Sequence, residues 1–366
     1  MSKIVIDARE LRTSSGRYVE RLLNYLQDVD QTNDYMVLLK PKDINTWRTK
    51  NEHFIAVECP HDEFSFDEQI DFKRQLEKLQ PDLVHFGMVQ QPVMYSGKVV
   101  TTIHDLTTIR FTNPAKNKVV FKLKQSIYKS VIKRAARKSV AVITPTQFVK
   151  DDLIKFARIN SDKVTVTLEA ADPIQSPADA LPDLQNKQFI TYVGRPTPHK
   201  NLERLIEAFA ELRAQHPTLH LVLAGKTDQN YERIAELVQQ RQIKNVVFTD
   251  FISEGQLRWL YENCEAYVFP SLSEGFGLPG LEAMQHGAPV ISSDATCLPE
   301  VYGNAAHYFD PLDVTAISDA INEVLTDQDL RNRLIQAGHQ KVHEYSWHRM
   351  AEQTLAVYKQ ALGQDK

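Results

Sequence analysis

The sequence predicts an α/β protein made of two doubly wound, Rossmann-like domains with parallel sheets. The chain has 366 residues, which at roughly 100–200 residues per domain leaves room for two. Short apolar runs such as Leu83–Phe86 and Phe189–Val193 show no polar alternation, which is typical of strands buried on both faces of a sheet. Stretches with helical periodicity separate these runs in both halves of the chain, which indicates repeated strand–helix units.

The predicted elements divide between a first domain at residues 1–172 and a second domain at residues 188–346. In the first domain we predict strands at Ile4–Ile6, Met36–Leu39, Phe54–Val57, Leu83–Phe86, Val99–Ile103, Val140–Ile143 and Val164–Thr167, and helices at Arg17–Leu26, Phe66–Leu79, Lys118–Arg137 and Gln147–Phe156. In the second we predict strands at Phe189–Val193, Leu219–Ala224, Val246–Phe248, Ala266–Phe269, Val290–Ser292 and His307–Phe309, and helices at Leu202–Gln215, Tyr231–Gln240, Glu254–Tyr261, Leu281–His286, Val314–Leu325 and Leu330–His343. Residues 173–187 carry prolines among polar residues and no apolar period, which indicates a linker.

Composition and charge exclude several classes of protein. Apolar residues make up 42% of the chain, charged residues 25%, and the formal net charge is −4, so nothing global indicates a nucleic-acid partner. The cysteines Cys59, Cys264 and Cys297 are scattered and form no CxxC motif, which favours a reduced cytoplasmic setting. The start of the chain reads as a strand rather than a secretion signal, and no run of about 18 apolar residues predicts a spanning helix.

The segment that follows the predicted strand Ala266–Phe269 carries the strongest sign of a ligand site. Gly275 and Gly277 permit a tight turn and close approach of the backbone to a ligand. The helix predicted next would direct free N–H groups toward an anion, for which a diphosphate is the obvious candidate. Glu274 before the turn and Glu282 within the helix accept hydrogen bonds from hydroxyls, so sugar hydroxyls are natural partners.

A second cluster follows the first predicted strand of the second domain. It contains Gly194, Arg195, Lys200 and Asn201. Fixed cations at a strand end stabilise the negative charge that grows on a leaving diphosphate, where arginine bonds two oxygens and lysine acts as a point charge. Asn201 has an alternative role as the N-cap of the next helix.

Together these segments resemble a known family. The run P-S-L-S-E-G-F-G-L-P-G-L-E-A-M, from Pro270 to Met284, is similar to the signature of the retaining GT-B glycosyltransferases of family GT4, and the resemblance extends over nearly the whole chain. It implies a GT-B architecture of two facing domains, with a last helix, Trp347–Leu362, that crosses back to the first domain. In that family, the residue matching Glu274 contacts the donor sugar and the residue matching Glu282 holds the ribose. The residues implied in binding the donor diphosphate or lining the donor site are Gly194, Arg195, Lys200, Gly225, Gly275, Phe276, Gly277 and Leu278.

Contacts to the nucleotide base are expected near the end of another strand. A glycine matching Gly225 lines the nucleotide site in the family, and backbone near Phe248–Ile252 is expected to reach the base. The side chains of Phe251 and Ile252 are expected to pack in the core rather than on the base.

Two features of the first domain match the family as well. Gly16 precedes a predicted helix, where a glycine suits backbone approach to a phosphate, although Ser14 replaces the preceding glycine of the family pattern. His104 follows a predicted strand and matches a family histidine near the reacting sugar. A buried histidine satisfied by a hydrogen-bond partner is the alternative interpretation, and Asp105 is expected to orient the loop.

The resemblance implies transfer of a hexose from a nucleoside diphosphate sugar to an acceptor hydroxyl, with the anomeric configuration kept and without metal or cofactor. The departing diphosphate would help to take the acceptor proton; a double displacement through Glu274 is the alternative. The segments I-D-A-R at Ile6, G-R-Y at Gly16 and F-D-E-Q at Phe66 resemble mannosyltransferase-like members that use GDP-mannose, with UDP-glucose left open. The expected acceptor is a glycan or lipid-linked glycan of the cell envelope.

Other functions compete with sugar transfer. A GT-B sugar-nucleotide epimerase would bind the same donor and convert it without an acceptor, and a non-catalytic scaffold would bind it without reaction. A Rossmann dehydrogenase is disfavoured because neither half has G-x-G-x-x-G after its first strand. Asp28-Val29-Asp30 spells the metal motif of a different glycosyltransferase fold, but it ends a polar helix and we do not interpret it as a metal site.

A basic helix is the remaining feature. Residues 106–150 contain no Asp or Glu, and the predicted helix within 116–138 carries many lysines and arginines. Its apolar stripe, formed by Val120, Leu123, Ile127, Val131 and Ala135, is expected to pack on the sheet. The alternative for the basic face is attraction to anionic lipid or a phosphorylated acceptor, which would place the protein at the inner face of the membrane.

Overall fold

The computed structural model describes residues 1–11, 16–63, 65–111 and 118–364, and of residues 118–122 it describes the backbone alone. Its described part divides into two compact units. The first comprises Met1–Ile109, Lys122–Glu169 and Ser346–Lys366, and the second comprises Arg110–Phe121 and Ala170–Tyr345. Ser14 and Lys116, which the sequence analysis singled out, lie outside the described residues.

The first unit contains a seven-stranded sheet in the order β3-β2-β1-β4-β5-β6-β7, and all of its described strand pairs are parallel. The strands are β1 (Lys3–Asp7), β2 (Asp34–Leu39), β3 (Phe54–Glu58), β4 (Leu83–Phe86), β5 (Val99–Thr102), β6 (Ala141–Thr144) and β7 (Val164–Val166). The helices are α1 (Arg17–Val29), α2 (Lys73–Leu79) after a π-helical turn at Glu68–Phe72, α3 (Thr107–Arg110), α4 (Lys118–Lys138) and α5 (Gln147–Ala157). The end of α3 and the first four residues of α4 are counted with the second unit. Strands β4 and β5 are buried along their whole length, as expected of a parallel sheet covered on both faces.

The second unit contains a six-stranded parallel sheet in the order β10-β9-β8-β11-β12-β13. Its strands are β8 (Phe189–Val193), β9 (His220–Ala224), β10 (Val246–Phe248), β11 (Ala266–Phe269), β12 (Val290–Ser293) and β13 (Ala306–Phe309). Its helices are α6 (Leu202–Leu212), α7 (Gln229–Gln240), α8 (Glu254–Asn263), α9 (Leu278–Gln285), α10 (Leu298–Tyr302), α11 (Val314–Thr326) and α12 (Gln328–Val342). These two sheets confirm the predicted fold class.

One predicted helix start is wrong in an informative way. The helix after the glycine turn begins at Leu278 rather than Leu281. Pro279 therefore lies in the first turn of this helix. A proline is tolerated in the first turn because the N–H that it lacks would have no partner within the helix.

The last helix, α13 (Trp347–Leu362), returns to the first unit and packs along α1. At its centre, the Tyr358 hydroxyl lies 2.5 Å from Nδ1 of the fully buried His85, whose Nε2 lies 2.9 Å from the Thr102 hydroxyl. Burial, followed by the charge of His104, lowers the pKa of His85 to about 3. His85 is therefore neutral. Because the Thr102 hydroxyl donates to the Tyr18 hydroxyl at 3.0 Å, Nε2 of His85 donates to Thr102 and Nδ1 accepts from Tyr358.

The segment predicted as a linker lies on the second unit. The division between the units falls after Glu169. Beyond it, the Ile174 amide donates to Nε2 of His286 at 3.0 Å, and the Asp179 amide donates to the Gly255 carbonyl at 3.0 Å. Its regular structure is one short 3-10 helix, Pro182–Leu184, and the bonds above hold the remainder of the segment to the second unit.

The apolar stripe of α4 is only partly in the core. Ala135, the last residue of the stripe, is buried and Val131 is partly buried, while the core cluster of the first unit takes Ile132 and Ala136 from the adjacent face of the helix. By contrast, Leu123 is 64% exposed and Ile127 is 56% exposed, so the expectation that both pack on the sheet is wrong. Helical periodicity identifies a common face of the helix, but it does not say how far along that face the core extends. Among the described residues, no helix combines the length and apolar character that crossing a bilayer requires.

Replacing Tyr358 by phenylalanine is expected to destabilise the first unit by about 1–3 kcal/mol, because Nδ1 of the buried His85 loses its donor. Denaturant unfolding of the full-length protein measures the change. Tyr25→Phe, in a half-buried tyrosine of α1, serves as the control and should change stability by less than about 0.5 kcal/mol. Equal stability of Tyr358→Phe and the unchanged protein would contradict the role given to this hydrogen bond.

Candidate functional site

The predicted ligand residues of the second unit lie at the point where its strand order reverses. Strands β8 and β11 are neighbours in the sheet but are not consecutive in the chain. From β8 the chain continues to β9 on one side, and from β11 it continues to β12 on the other side. The loops that follow them are 194–201 and 270–277. In open α/β sheets, ligands bind beyond the carboxyl ends of the strands at this switch point.

Hydrogen bonds join these two loops into one rigid platform. The Leu272 amide donates to the His199 carbonyl at 2.7 Å. The buried Asn201 amide group donates to the carbonyls of Pro270 at 3.1 Å and Pro311 at 2.7 Å. Asn201 has a left-handed backbone (φ 60°) and makes no side-chain cap bond, so it ties the loops together instead of capping α6.

At the centre of this platform, Lys200 and Glu274 form an ion pair. Lys200 Nζ lies 2.6 Å from Glu274 Oε1, and the two side chains are 18% and 13% exposed. The Lys200 ammonium also lies 5.3 Å from the centre of the Phe269 ring. The Glu274 amide donates to the Thr296 hydroxyl at 3.1 Å, and the Cys297 thiol donates to the Glu274 carbonyl at 3.3 Å. The platform therefore holds side by side a cation and a carboxylate that can accept hydrogen bonds from hydroxyl groups.

Gly277 sets the entry to helix α9. Its φ of +96° lies in the left-handed region, and a Cβ atom there would lie 2.5 Å from the Tyr302 hydroxyl oxygen. That hydroxyl donates to the Gly277 carbonyl at 2.5 Å. Burial raises the pKa of Tyr302 well above its usual value, so the hydroxyl keeps its proton. The turn therefore brings the positive end of α9 to the platform, and the partly buried Glu282 lies one turn further along this helix.

Two of the implied donor-site residues contribute in a restricted way. The Phe276 side chain is only 4% exposed and packs edge-on against Tyr345, with ring centres 5.4 Å apart. Its backbone alone remains to contact a ligand. Gly275 is buried and Leu278 is partly buried.

Arg195, in the same loop as Lys200, has a different partner. Its side chain is 70% exposed and bonds Asp228 at 3.1 Å, and Asp228 also accepts the backbone amides that begin α7. Exposed ion pairs of this kind contribute little stability, so Arg195 can leave Asp228 for a stronger anion. Sequence reasoning did not identify Asp228 as a partner.

Close packing explains the glycines beside Arg195. The Tyr231 hydroxyl donates to the Gly194 carbonyl at 2.8 Å, and the Gly194 amide donates to Ala224 at 2.9 Å. A Cβ atom on Gly225 would lie 2.5 Å from the Gly194 carbonyl oxygen. The two glycines therefore allow the ends of β8 and β9 to come together below the platform.

The prediction that Phe251 packs in the core is wrong. Its side chain is 77% exposed, just after β10. The preceding residue, Asp250, has a left-handed backbone (φ 57°), accepts the Gly225 amide at 3.3 Å through its carbonyl, and accepts the Thr227 amide at 2.7 Å through its carboxylate. This local turn directs the aromatic ring outward beside the Gly225 loop, and a left-handed aspartate is not visible in an apolar pattern.

In the first unit, Gly16 immediately precedes α1. A Cβ atom on Gly16 would overlap the Glu10 carbonyl oxygen, so only glycine fits at the start of this helix. Its φ of −79° is ordinary, so packing requires the glycine here and backbone conformation does not.

His104 lies just beyond β5 and is held on both sides. Its Nδ1 lies 3.1 Å from Glu169 Oε1, and its Nε2 lies 3.0 Å from the Gly87 carbonyl oxygen. The Tyr18 ring meets the imidazole edge-on at 4.9 Å. The His104 side chain is 24% exposed and that of Glu169 is 8% exposed. Sequence analysis missed Glu169, which follows a short strand and belongs to no motif.

The I-D-A-R and F-D-E-Q segments contact each other in the folded chain. Arg9 is almost fully buried and bonds Asp7 at 2.7 Å and Glu68 at 2.9 Å, with its guanidinium 4.1 Å from the centre of the Phe72 ring. Gln69 accepts the Val93 amide at 2.8 Å. The I-D-A-R and F-D-E-Q segments are therefore partners in one buried ion network.

The Asp28-Val29-Asp30 segment has a structural role. Asp30 accepts hydrogen bonds from Thr32, Asn33 and Tyr35, and these bonds close the turn between α1 and β2. Burial opposes the charge on Asp30, but these bonds outweigh it and lower the pKa of the carboxyl. Within the described ranges, no group of three His, Cys, Asp or Glu side chains is arranged to hold a metal ion.

Comparison with known proteins shows which family the chain resembles. The model for "Glycosyl transferases group 1" matches residues 179–341, and the model for "Glycosyltransferase Family 4" matches residues 16–173. The chain is 32% identical over 278 residues to O-antigen chain mannosyltransferase B of Escherichia coli, a match that covers 72% of this chain and 70% of that protein. It is 35% identical over 215 residues to the serotype-specific mannosyltransferase WbdA of Escherichia coli, which covers 56% of this chain but only 26% of that longer protein.

The fold agrees with this assignment. Sucrose-phosphate synthase of Thermosynechococcus elongatus is similar with a TM-score of 0.77 at 19% identity, over 99% of this chain and 100% of that chain. Together, the two family models account for both units. The chain therefore belongs to the group 1, family 4 glycosyltransferases with the GT-B fold, and it is a hexosyltransferase that uses a nucleotide sugar as donor.

Proposed function

We propose that the protein transfers mannose from GDP-mannose to a hydroxyl of an envelope glycan, free or lipid-linked, with retention of the anomeric configuration. The observation that carries the chemistry is the Lys200–Glu274 pair at the switch point of the second sheet. The choice of mannose is supported by the two mannosyltransferases of Escherichia coli to which the chain is similar.

The ion pair suits a diphosphate sugar. Without a donor, Lys200 and Glu274 satisfy each other at 2.6 Å. When a donor binds, the two side chains would exchange each other for the ligand. The ammonium would bond a diphosphate oxygen, and the carboxylate would accept hydrogen bonds from sugar hydroxyls. Each group then exchanges one charge-assisted hydrogen bond for another, so binding leaves no buried charge without a partner.

Further contacts would come from three places around the pair. Arg195 would exchange its exposed bond to Asp228 for the diphosphate, which it can bond through two N–H groups. Glu282 would accept the ribose hydroxyls, and the exposed Phe251 ring would stack on the base beside Gly225.

The proposed reaction occurs on one face of the sugar. The bond from the anomeric carbon to the diphosphate oxygen breaks, the bond from that carbon to the acceptor oxygen forms, and the acceptor proton passes to the departing diphosphate. Lys200, Arg195 and the N-terminus of α9 would stabilise the charge that develops on the leaving group. These cations supply the stabilisation without a metal ion. In this reaction Glu274 orients the sugar through its hydroxyls and does not attack the anomeric carbon.

Replacing Glu274 by glutamine is expected to lower kcat about 100-fold or more, because the sugar loses a charged hydrogen-bond acceptor in the transition state. Affinity for GDP should change by less than about threefold, since the nucleotide contacts remain. The full-length protein is assayed by GDP release from GDP-mannose with a mannose-terminated oligosaccharide, and GDP binding is measured by calorimetry. Glu207→Gln, in a surface pair with Arg241, is the matched control and should leave both unchanged.

The same assay tests the rival functions. Turnover of Glu274→Gln within about tenfold of the unchanged protein would contradict the role of the carboxylate. A product of inverted configuration would overturn retention, and an epimerised donor formed without acceptor would overturn transfer. Faster turnover with UDP-glucose than with GDP-mannose would overturn the donor, and loss of turnover in a chelator would overturn metal independence.

We also propose that α4 docks on anionic lipid. Leu123 and Ile127 are exposed one turn apart, and Met94 is 65% exposed beside Arg134, whose guanidinium lies 3.6 Å from the Met94 sulfur. The exposed lysines of α4 include Lys124 and Lys129. An apolar patch surrounded by lysine and arginine side chains fits the interface of a negatively charged bilayer, where a lipid-linked acceptor would be held.

Changing both Leu123 and Ile127 to aspartate is expected to weaken binding to phosphatidylglycerol vesicles about tenfold or more, because the patch loses apolar area and gains negative charge. Vesicle sedimentation with the full-length protein measures this binding. The unchanged protein should bind phosphatidylcholine vesicles more weakly, and added salt should reduce its binding to phosphatidylglycerol. Leu312→Asp, in a leucine of the second unit that is 62% exposed, is the matched control. Undiminished binding of the double variant would rule out α4 as the docking surface.

A further inference from the structure

We infer that Glu169 is a positioning residue that holds His104 as a doubly protonated cation, so that His104 acts through its charge and does not accept a proton. The geometry of the first unit carries this inference. It depends on the proposed function only for where in the reaction that charge is used.

Both ring nitrogens of His104 face oxygen atoms that can only accept. Nδ1 meets a Glu169 carboxylate oxygen at 3.1 Å, and Nε2 meets the Gly87 carbonyl oxygen at 3.0 Å. A neutral imidazole has one N–H, so one nitrogen lone pair would have to face an oxygen lone pair. The imidazolium donates to both oxygens at once. The partners therefore select the charged form.

The other groups around His104 do not compete for its charge. Burial raises the pKa of Tyr18, whose ring touches the imidazole, so this phenol remains neutral. His85, on the neighbouring strand β4, is neutral because burial lowers its pKa to about 3. Asp105, the next residue along the chain, adds a second negative charge.

The titration of His104 follows from this balance. Burial alone would lower its pKa, but the hydrogen bond and charge of Glu169, the Gly87 carbonyl and Asp105 outweigh burial and raise it above the ordinary value of 6.5. The pair therefore contributes its full stability below about pH 6.5, and this contribution is lost as the pH rises through the raised pKa.

The arrangement limits what His104 can do in catalysis. Both N–H groups are engaged within the first unit, so no ring nitrogen is available to take the proton of an acceptor hydroxyl. That proton must go elsewhere, which agrees with its proposed transfer to the departing diphosphate. What His104 offers is a fixed positive charge at the end of β5.

Nitrogen NMR tests the inference directly. Long-range ¹H–¹⁵N spectra of the full-length protein, labelled at histidine nitrogen, distinguish imidazolium from either neutral tautomer, and His104→Gln assigns the signals. We expect an imidazolium at pH 7 in the unchanged protein, and at least a tenfold lower proton affinity of His104 in Glu169→Gln. Glu323→Gln is the matched control, because Glu323 bonds His307 on the second unit and should leave His104 unchanged.

A neutral His104 at pH 6.5 in the unchanged protein would overturn the inference. So would a titration of His104 that is the same in Glu169→Gln as in the unchanged protein. Glu169→Asp keeps the carboxylate and should recover part of the raised proton affinity, which separates loss of charge from loss of folding. These readouts need no substrate, so they stand even if the proposed donor is wrong.

Kinetics then places the charge in the reaction. With whichever donor supports turnover, kcat of the unchanged protein should fall as the pH rises through the pKa of His104. In Glu169→Gln this fall should move to lower pH by at least one unit, with KM for the donor changed by less than about threefold. An unmoved pH profile, together with an altered NMR titration, would overturn the role of the charge in turnover.

Discussion

The Lys200–Glu274 ion pair is the interaction around which the second domain is arranged. A half-buried pair is stable only if both charges stay within bonding distance, because removing one partner leaves the other without compensation. The loops that carry the two residues come from different strands, so their relative position must be fixed independently. The hydrogen bonds of Asn201 and His199 fix it on one side, and Thr296 fixes the backbone of Glu274 on the other.

The first domain uses the same physical device twice. Arg9 is held between Asp7 and Glu68, and His104 is held by Glu169. In each case a carboxylate from a segment distant in sequence, Glu68 for Arg9 and Glu169 for His104, bonds a side chain just beyond the carboxyl end of a strand. Each pair is costly to break, so these edges of the sheet are stiff where a sugar transferase needs its side chains preorganised.

Sequence reasoning succeeded where a pattern is local. The parallel strands are continuous apolar runs, and their positions could be predicted because burial on both faces removes polar residues. Gly277 could be identified because a left-handed turn at a helix start requires glycine. The exposed Phe251 and Leu123 were assigned to the core, because an apolar residue within a periodic segment gives no sign of where the neighbouring layer ends.

The partners of the charged residues could not be predicted in the same way. Glu169 is one of many glutamates, and nothing within a few residues of it indicates that it meets His104, 65 positions earlier. In the same way, nothing near Arg195 in the sequence indicates that it bonds Asp228, 33 positions later. By itself the sequence determined the fold class and the family, because these depend on periodicity and on contiguous motifs. The tertiary structure alone decided which charges neighbour each other, and so which are available to a ligand and which protonation state they hold, because these depend on distance in space and on burial.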